Sequence, residues 1–394
     1  MKSLNLIIDF KNIAMRSLFT CQYVQGVGDV KNFDNDEECG ILGRKIVTDI
    51  SFIIKTFNPQ RVIFACDSRN YWRKSLYDDI EGEDYKGTRK YDDEKDWTKI
   101  YETFDNVRES LSNKGFITSS VMNAEADDMA ALWSKYLMDN GEDVILVSSD
   151  KDWTQLVSFD TDKKIFCACY NPIANNRGQK KLYISYEIDE WLNTEDKVDI
   201  FFTNFDSIKN KIKNIESVDS KIYKELIDPE RVVLDKIMCG DTSDNVPAFF
   251  SYYKNGKKVR VTPLKAGHVF ESLNIHNVND LIRENDSHAL KDALEREMRH
   301  DIDVDFEERL MRQRKMVELN ISLFPINIVD DFNKHVERVK DTGYITSTNM
   351  ISMDKILEGT KYITKDYKNK VKENSIFDDF TSLSKYSKSF NLFK

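Results

Sequence analysis

Proline and glycine are scarce in this chain, six and fourteen among 394 residues, and no internal repeat runs through it, which excludes collagen-like repeats and extensive Pro/Gly-rich disorder. There is no stretch of about 18 apolar residues and no apolar leader behind the opening "MKSLNLIID", so neither a membrane span nor an export signal is expected and the chain reads as soluble and cytoplasmic. Cysteine is limited to Cys21, Cys39, Cys66, Cys167, Cys169 and Cys239, with no C-x-x-C pair, and the five histidines are scattered. That distribution offers no zinc site and suits a reducing compartment. Cys167 and Cys169 are expected to share one face of a strand as ordinary packing. An excess of positive charge is missing too: 58 Lys and Arg against 68 Asp and Glu leave a net charge of -10. Nucleic-acid binding usually leaves a basic footprint. The sum excludes little, however, where a cluster of acids is committed to cations, because the remaining surface is then near neutral with local basic patches.

What is present is enough apolar residue, 40%, to bury the core of one large domain or two ordinary ones. Three β-rich runs each end in acid: "LNLIIDF" at Asp9, "RVIFACDS" at Asp67, and "EDVILVSSDKD" at Asp150 and Asp152. They alternate with helical segments at residues 40–57 and 124–140, the pattern of an α/β domain with a mostly parallel central sheet flanked by helices. Ligands of such sheets bind outside the carboxyl ends of the strands, where these aspartates fall. In "NAEADDMAALWSKYLMDNG", Asn123 is the expected cap and Gly141 lies past the end; Glu125, Asp127 and Asp128 occupy the first turn, where the helix dipole tolerates anions.

Residues 171–229 are polar, with "NKIKNIESVDSKIYKELI" reading as helix. In "DPERVVLDKIMCGDTSDNVPAFF", Pro229 suits a first helical position and the apolar face ends at Gly240, leaving Asp241 and Asp244 in a loop. Thr262 and Pro263 open another helix, residues 289–319 read as largely helical, and the chain from about residue 330 is mixed and polar.

Taken singly, Asp9, Asp67, Glu125, Asp127, Asp128, Asp150, Asp152, Asp241 and Asp244 are more often turn formers and caps than ligands. Gathered at one sheet edge, that many carboxylates cannot all stay ionised without cations. Oxygen donors without Cys or His select Mg²⁺ or Mn²⁺. Two such ions about 4 Å apart form the clamp used for attack of water on a phosphodiester. The segment between Asp67 and the next helix reads as a long surface excursion. Arg73, Lys74, Lys86 and Arg89 in it offer phosphate contacts, and Tyr71, Trp72 or Tyr85 offer stacking. By itself such a segment is an ordinary solvated loop; beside a metal site the phosphate reading is favoured.

In order along the chain, "IIDF", "CDSRNYWR" with "YKGTR", "AEADD", "SSDKDWTQL" and "GDTSDN" resemble the flap endonuclease and 5′-to-3′ exonuclease superfamily, and within it the phage RNase H branch of the T-even type. The resemblance implies a PIN-like nuclease fold over residues 1–245, with an arch-like excursion at about 68–100 and an insert at about 171–229. A helical duplex-binding subdomain follows over 246–330, and 331–394 form an extension of unknown role. It further implies a structure-specific nuclease that removes 5′ RNA primers and 5′ flaps from DNA and RNA/DNA duplexes in replication. Two Mg²⁺ serve it, with Mn²⁺ as a substitute. The first metal cluster maps onto Asp9, Asp67, Glu125, Asp127 and Asp128, the second onto Asp150, Asp152, Asp241 and Asp244. Lys86 matches the arch lysine that contacts the scissile phosphate, with Tyr85 beside it for stacking and Arg89 as a second phosphate contact, so Lys86, Arg89, Asp150 and Asp152 are the expected catalytic group.

Where the family carries a Gly-x-Gly turn after "GD..DN", this chain reads "NVPAFFSYYKNGKKVRVTPLKAGHVF". The resemblance therefore does not extend to a K⁺ site, while Lys254, Lys257, Lys258, Arg260 and Lys265 keep the region suited to duplex backbone. The terminal "SFNLF" has the character of a short aromatic peptide that docks on a sliding clamp, a single-stranded-DNA-binding protein or another replication partner. A phage-encoded protein would work in the host cytoplasm. Competing readings are a PIN-like ribonuclease, normally smaller and without the basic segment, and a non-catalytic DNA-structure-binding protein, which would have lost carboxylates or the arch lysine. A phospho-aspartate hydrolase is disfavoured because the D-x-D-x-T expected after the first strand is absent, Asp9 being followed by Phe10 and Lys11.

Overall fold

Every residue of β1 (Leu4–Asp9) is buried, as a central strand of a parallel sheet covered on both faces requires. It lies between β2 (Arg61–Ala65) and β4 (Asp143–Val147), parallel to both, with Asp9 opposite Ala65 and Ile8 opposite Val147. The computed structural model describes residues 4–21, 32–77, 85–87, 94–174, 178–193, 222–282, 287–302 and 305–344. Its main sheet has the order β3 (Ile117–Ser119), β2, β1, β4, β6 (Ile165–Asn171), β7 (Lys180–Ile184), β8 (Ile222–Leu226), with β5 (Ser158–Asp160) against β6. Strands β1 to β4 and β6 are mutually parallel; β7 runs antiparallel to β6, and β8 parallel to β7. The carboxyl ends of β1, β2 and β4 therefore share one edge, and Cys167 and Cys169 are fully buried in β6.

Helices α1 (Phe10–Cys21), α2 (Asp36–Phe57), α3 (Trp97–Asn113), α4 (Ala126–Asp139) and α5 (Tyr186–Asn193) accompany the sheet. Helix α2 starts where Asn35 accepts a bond from the Glu38 N–H, and its first turn carries Asp36, Glu37 and Glu38 towards the positive end of the dipole. The α4 start differs from the sequence reading. Asn123 adopts a left-handed φ of 64° in the preceding turn, and Glu125 is the cap, its N–H donating to Asp128 Oδ2 at 2.9 Å. A reciprocal capping box with the third helical residue outweighs a lone Asn two positions earlier.

A second core gathers α6 (Pro229–Cys239), α7 (Pro263–Leu273), α8 (Val278–Leu281), α9 (Ser287–Met298) and α10 (Phe306–Val317) around Leu234, Phe249, Phe270 and Leu294. The region expected to be helical also contains a two-stranded hairpin, β9 (Ser251–Lys254) and β10 (Lys257–Arg260), turning at Asn255 and Gly256, both with positive φ. The chain then returns to the first core through α11 (Ile326–Val339), whose Phe332 packs edge-on against Trp133 at 5.2 Å, so part of the expected C-terminal extension is a packed helix. Residues 345–394, including "SFNLF", lie outside the described residues, as do 194–221 of the expected insert. The helix expected to run through "SKIYKELI" is corrected: Ile222–Leu226 form β8, where pairing with β7 and the Lys181–Glu225 ion pair at 2.6 Å outweigh a mixed local propensity. No helix among the described residues is long and apolar enough to cross a membrane.

Candidate active site

Because β1, β2 and β4 are parallel and in register, their following residues are presented together. Asp9 is the last residue of β1, and its Oδ1 accepts the Asn12 N–H at 3.0 Å at the start of α1. Its Oδ2 accepts the Ser148 hydroxyl at 2.9 Å, and the same hydroxyl oxygen accepts the Asp150 N–H, joining the β1 and β4 ends. Asp67 follows β2 and accepts the Ala126 N–H at 2.9 Å, locking it to the first turn of α4. Asp150 caps the 3₁₀ turn Lys151–Leu156 by accepting the Asp152 N–H at 3.0 Å. From that turn, buried Trp153 donates to Asp127 Oδ1 at 2.6 Å, and Gln155 bonds the Val317 carbonyl at 2.9 Å, tying the first core to the end of α10.

The remaining two aspartates come from the second core. Gly240 ends α6 with φ 68° and ψ −167°, and Asp241 then pairs with Val246 through two backbone bonds. Arg309 and Gln313 of α10 hold the carbonyls of Pro247, Ala248 and Phe249. A Cβ on Gly240 would stand 2.4 Å from the carbonyl oxygens of Val246 and Pro247, so only glycine fits there. Gly240→Ala is accordingly expected to cost about 1–3 kcal/mol in backbone strain alone and to displace Asp241. Thermal melting should show a lower midpoint together with weaker divalent-ion binding, and unchanged values of both would contradict the geometry.

Two lysines link the carboxylates. Lys86 Nζ bonds Glu125 Oε1 and lies 3.5 Å from Asp244, while its backbone N–H donates to the Asp244 carbonyl at 3.0 Å. Lys236 Nζ, on α6, bridges Asp152 and Asp241. Lys236 was missed by the sequence reading; the only signal for it was a lysine one turn before Gly240, at the end of the helix that delivers the acidic loop. Burial, reinforced by Asp67 and Asp150, pushes the Asp9 carboxyl up to about 7. Burial and then Asp150 push Asp152 up to about 7 against the pull of Lys236, and burial with Asp150 raises Asp127 well above the ordinary aspartate value. Glu125 is buried as well, yet Arg73 and Lys86 hold it below the usual glutamate value; burial at Asp241 is outweighed by Lys236, which with Ser243 brings it down to about 2.

Three of the expected site residues are engaged inside the protein in this structure. Arg73, expected on phosphate, is 2% exposed and lies 3.0 Å from Glu125 and 2.7 Å from Asp128. Asp128, expected on metal, is fully buried, accepting from Trp72 Nε1 at 3.0 Å and from the Glu125 N–H while paired with Arg73. Tyr85, expected to stack on a base, is buried with its hydroxyl donating towards Glu125 at 3.0 Å. In each case a neighbour on the adjacent element offered a charge or hydrogen bond that a buried polar group needs. Lys74 is exposed, as are Lys254, Lys257, Lys258 and Arg260 on the hairpin, whereas Lys265 is half-buried against Met298; Arg89 lies outside the described residues.

The all-oxygen set Asp9, Asp67, Glu125, Asp127, Asp150, Asp152, Asp241 and Asp244 has the donor chemistry of a hard divalent cation. The carboxyls of Asp9, Asp127 and Asp152 are raised first by burial and then by neighbouring aspartates, as expected where buried acids are brought close together. Among the described residues no three acidic, His or Cys side chains are drawn together as a ready-made cage. Lys86 and Lys236 stand between them instead.

Residues 5–183 match the family of the 5′-3′ exonuclease N-terminal, resolvase-like domain. The chain is thus similar, over its first half, to 5′-3′ exonucleases and flap endonucleases. One similar protein, the 5′-3′ exonuclease of Mycoplasmopsis pulmonis, is 23% identical over 317 residues, 79% of this chain and 84% of its own length. Another, the flap endonuclease Xni of Shewanella loihica, is 32% identical over 126 residues, 32% of this chain and 45% of its own length. Among solved structures, the bacteriophage T5 flap endonuclease, crystallised as a pseudo-enzyme-product complex with DNA and metal ions, superposes with a TM-score of 0.51 at 18% identity, covering 86% of this chain and 99% of that one. That likeness shows the fold: a mostly parallel sheet flanked by helices with a helical C-terminal region. The phage enzyme has also been crystallised with zinc.

Proposed function

We propose that this protein is a magnesium-dependent phosphodiester hydrolase, a structure-specific 5′ nuclease of the phage RNase H kind that removes 5′ RNA primers and 5′ flaps during DNA replication. The observation that carries the reading is the convergence of eight carboxylates from two cores on one sheet edge, with Lys86 placed between Glu125 and Asp244. Asp9, Asp67, Glu125 and Asp127 would hold one Mg²⁺, and Asp150, Asp152, Asp241 and Asp244 a second; Mn²⁺ would substitute. Bound there, the ions supply activation of the attacking water and neutralisation of the leaving oxygen. The chain's own groups do the rest. Ser148 and Asn12 orient Asp9, the Ala126 N–H orients Asp67, and Trp153 orients Asp127. Lys86, released from its carboxylates, contacts the scissile phosphate, and Arg89 gives a second contact. The exposed cations of the hairpin, with Lys74, grip duplex backbone without reading sequence.

The test is a labelled duplex with a 5′ RNA primer or 5′ flap, incubated with Mg²⁺ and with EDTA. Cleavage in the first and none in the second is expected; absence of magnesium-dependent cleavage would sink the proposal. In the same assay Lys86→Ala should lower kcat more than it weakens binding, because its phosphate contact strengthens as charge develops; an equal loss in both would demote it to a backbone contact.

A further inference from the structure

We infer that Lys11 is a further phosphate-contacting cation of this edge, in addition to Lys86 and Arg89, working on a neighbouring phosphate of the strand being cut. The inference rests on the 5′-nuclease reading above. Lys11 sits in the first turn of α1, where the helix dipole favours anions, and no acidic residue shares that turn. As a contribution to helix stability the residue is misplaced. Its partner is found instead at the functional edge: Nζ lies 3.2 Å from Asp67 Oδ2.

Exposure separates Lys11 from the other two lysines of the edge. Lys86 and Lys236 are each held by two carboxylates, with side chains 15% and 16% exposed. Among the described residues Lys11 has one carboxylate partner, and its side chain is 32% exposed, so its three N–H donors keep a solvent-facing side. Tyr71 is the link to Lys86. The Lys86 ammonium lies 5.1 Å from the Tyr71 ring centre, and Lys11 and Lys86 both act electrostatically on the Tyr71 hydroxyl. The Tyr71 ring in turn meets Tyr85 edge-on at 6.4 Å. Lys86 beside the Tyr71 ring and Lys11 on Asp67, both next to carboxylates that would carry metal, make a cationic pair suited to phosphates of one strand. A lysine whose task was only to neutralise Asp67 would need no open side.

The experiment measures binding of a 5′-flap duplex in EDTA over a range of salt concentrations, for the wild type, Lys11→Met, Lys11→Gln and Lys11→Arg. Loss of one phosphate contact should reduce the slope of log K against log salt by about 0.7–0.9 in the Met and Gln variants, with Arg near wild type. Thermal melting accompanies each variant, and Gln, which retains a hydrogen bond to Asp67, covers the case that Met disturbs the local structure. An unchanged slope in both neutral variants would overturn the assignment. The two readings fail separately: a wild type without magnesium-dependent cleavage removes the nuclease proposal, whereas a cleaving wild type with unchanged slopes in the neutral variants removes only Lys11.

Discussion

Asp150→Ala is expected to lower magnesium-dependent cleavage of a 5′ flap by about 10²–10⁴-fold, the loss of several kcal/mol of metal-based stabilisation, with the fold retained. Asp150 is an exposed carboxylate at the end of β4, yet its charge raises three neighbours at once, Asp9, Asp127 and Asp152. It is thus the common neighbour of both proposed ion positions, and its removal should weaken divalent-ion binding at each. Two effects on stability oppose one another. Removing it takes away the cap of the 3₁₀ turn, a contribution of about 1 kcal/mol, and relieves repulsion among buried acids. A melting temperature close to wild type alongside lost turnover is the expected pair of results. Wild-type turnover would refute the assignment.

Arg73→Met is expected to be the most destabilising single change at the edge, by about 3–5 kcal/mol, the usual cost of removing one partner from a buried ion pair. The guanidinium is 2% exposed, sits between Glu125 (1%) and Asp128 (0%), and lies 4.6 Å from the Trp72 ring centre. Methionine fills much of the volume but leaves two carboxylates in the interior with less compensation. Denaturant unfolding is the measurement. A cost below about 1 kcal/mol would mean that water reaches the cluster. If Arg73 were a phosphate contact, its loss would appear in DNA affinity with stability unchanged, so the two roles are separable.

Continuous apolar runs ending in acid at Asp9, Asp67 and Asp150 made the parallel sheet and its functional edge legible from the residues alone, since a buried parallel strand has to be apolar throughout and its first polar residue marks where it leaves the core. Oxygen-only donors likewise pointed to a hard divalent cation. The sequence did not separate ligands from their supports. Glu125, Asp127 and Asp128 read alike, but helical geometry turns Asp128 back to Arg73 and Trp72 while Asp127 faces Trp153 and Asp150, and only the packed neighbours distinguish them. Arg73 and Tyr85 read as substrate contacts because charged and aromatic residues in an excursion are ordinarily solvated; burial beside Glu125 made them part of its support. The partners of Lys236 and Lys11 were decided by tertiary structure alone. Local spacing carries no information about which carboxylate a flexible four-carbon side chain will meet across two cores, and electrostatic partnership is settled by that meeting.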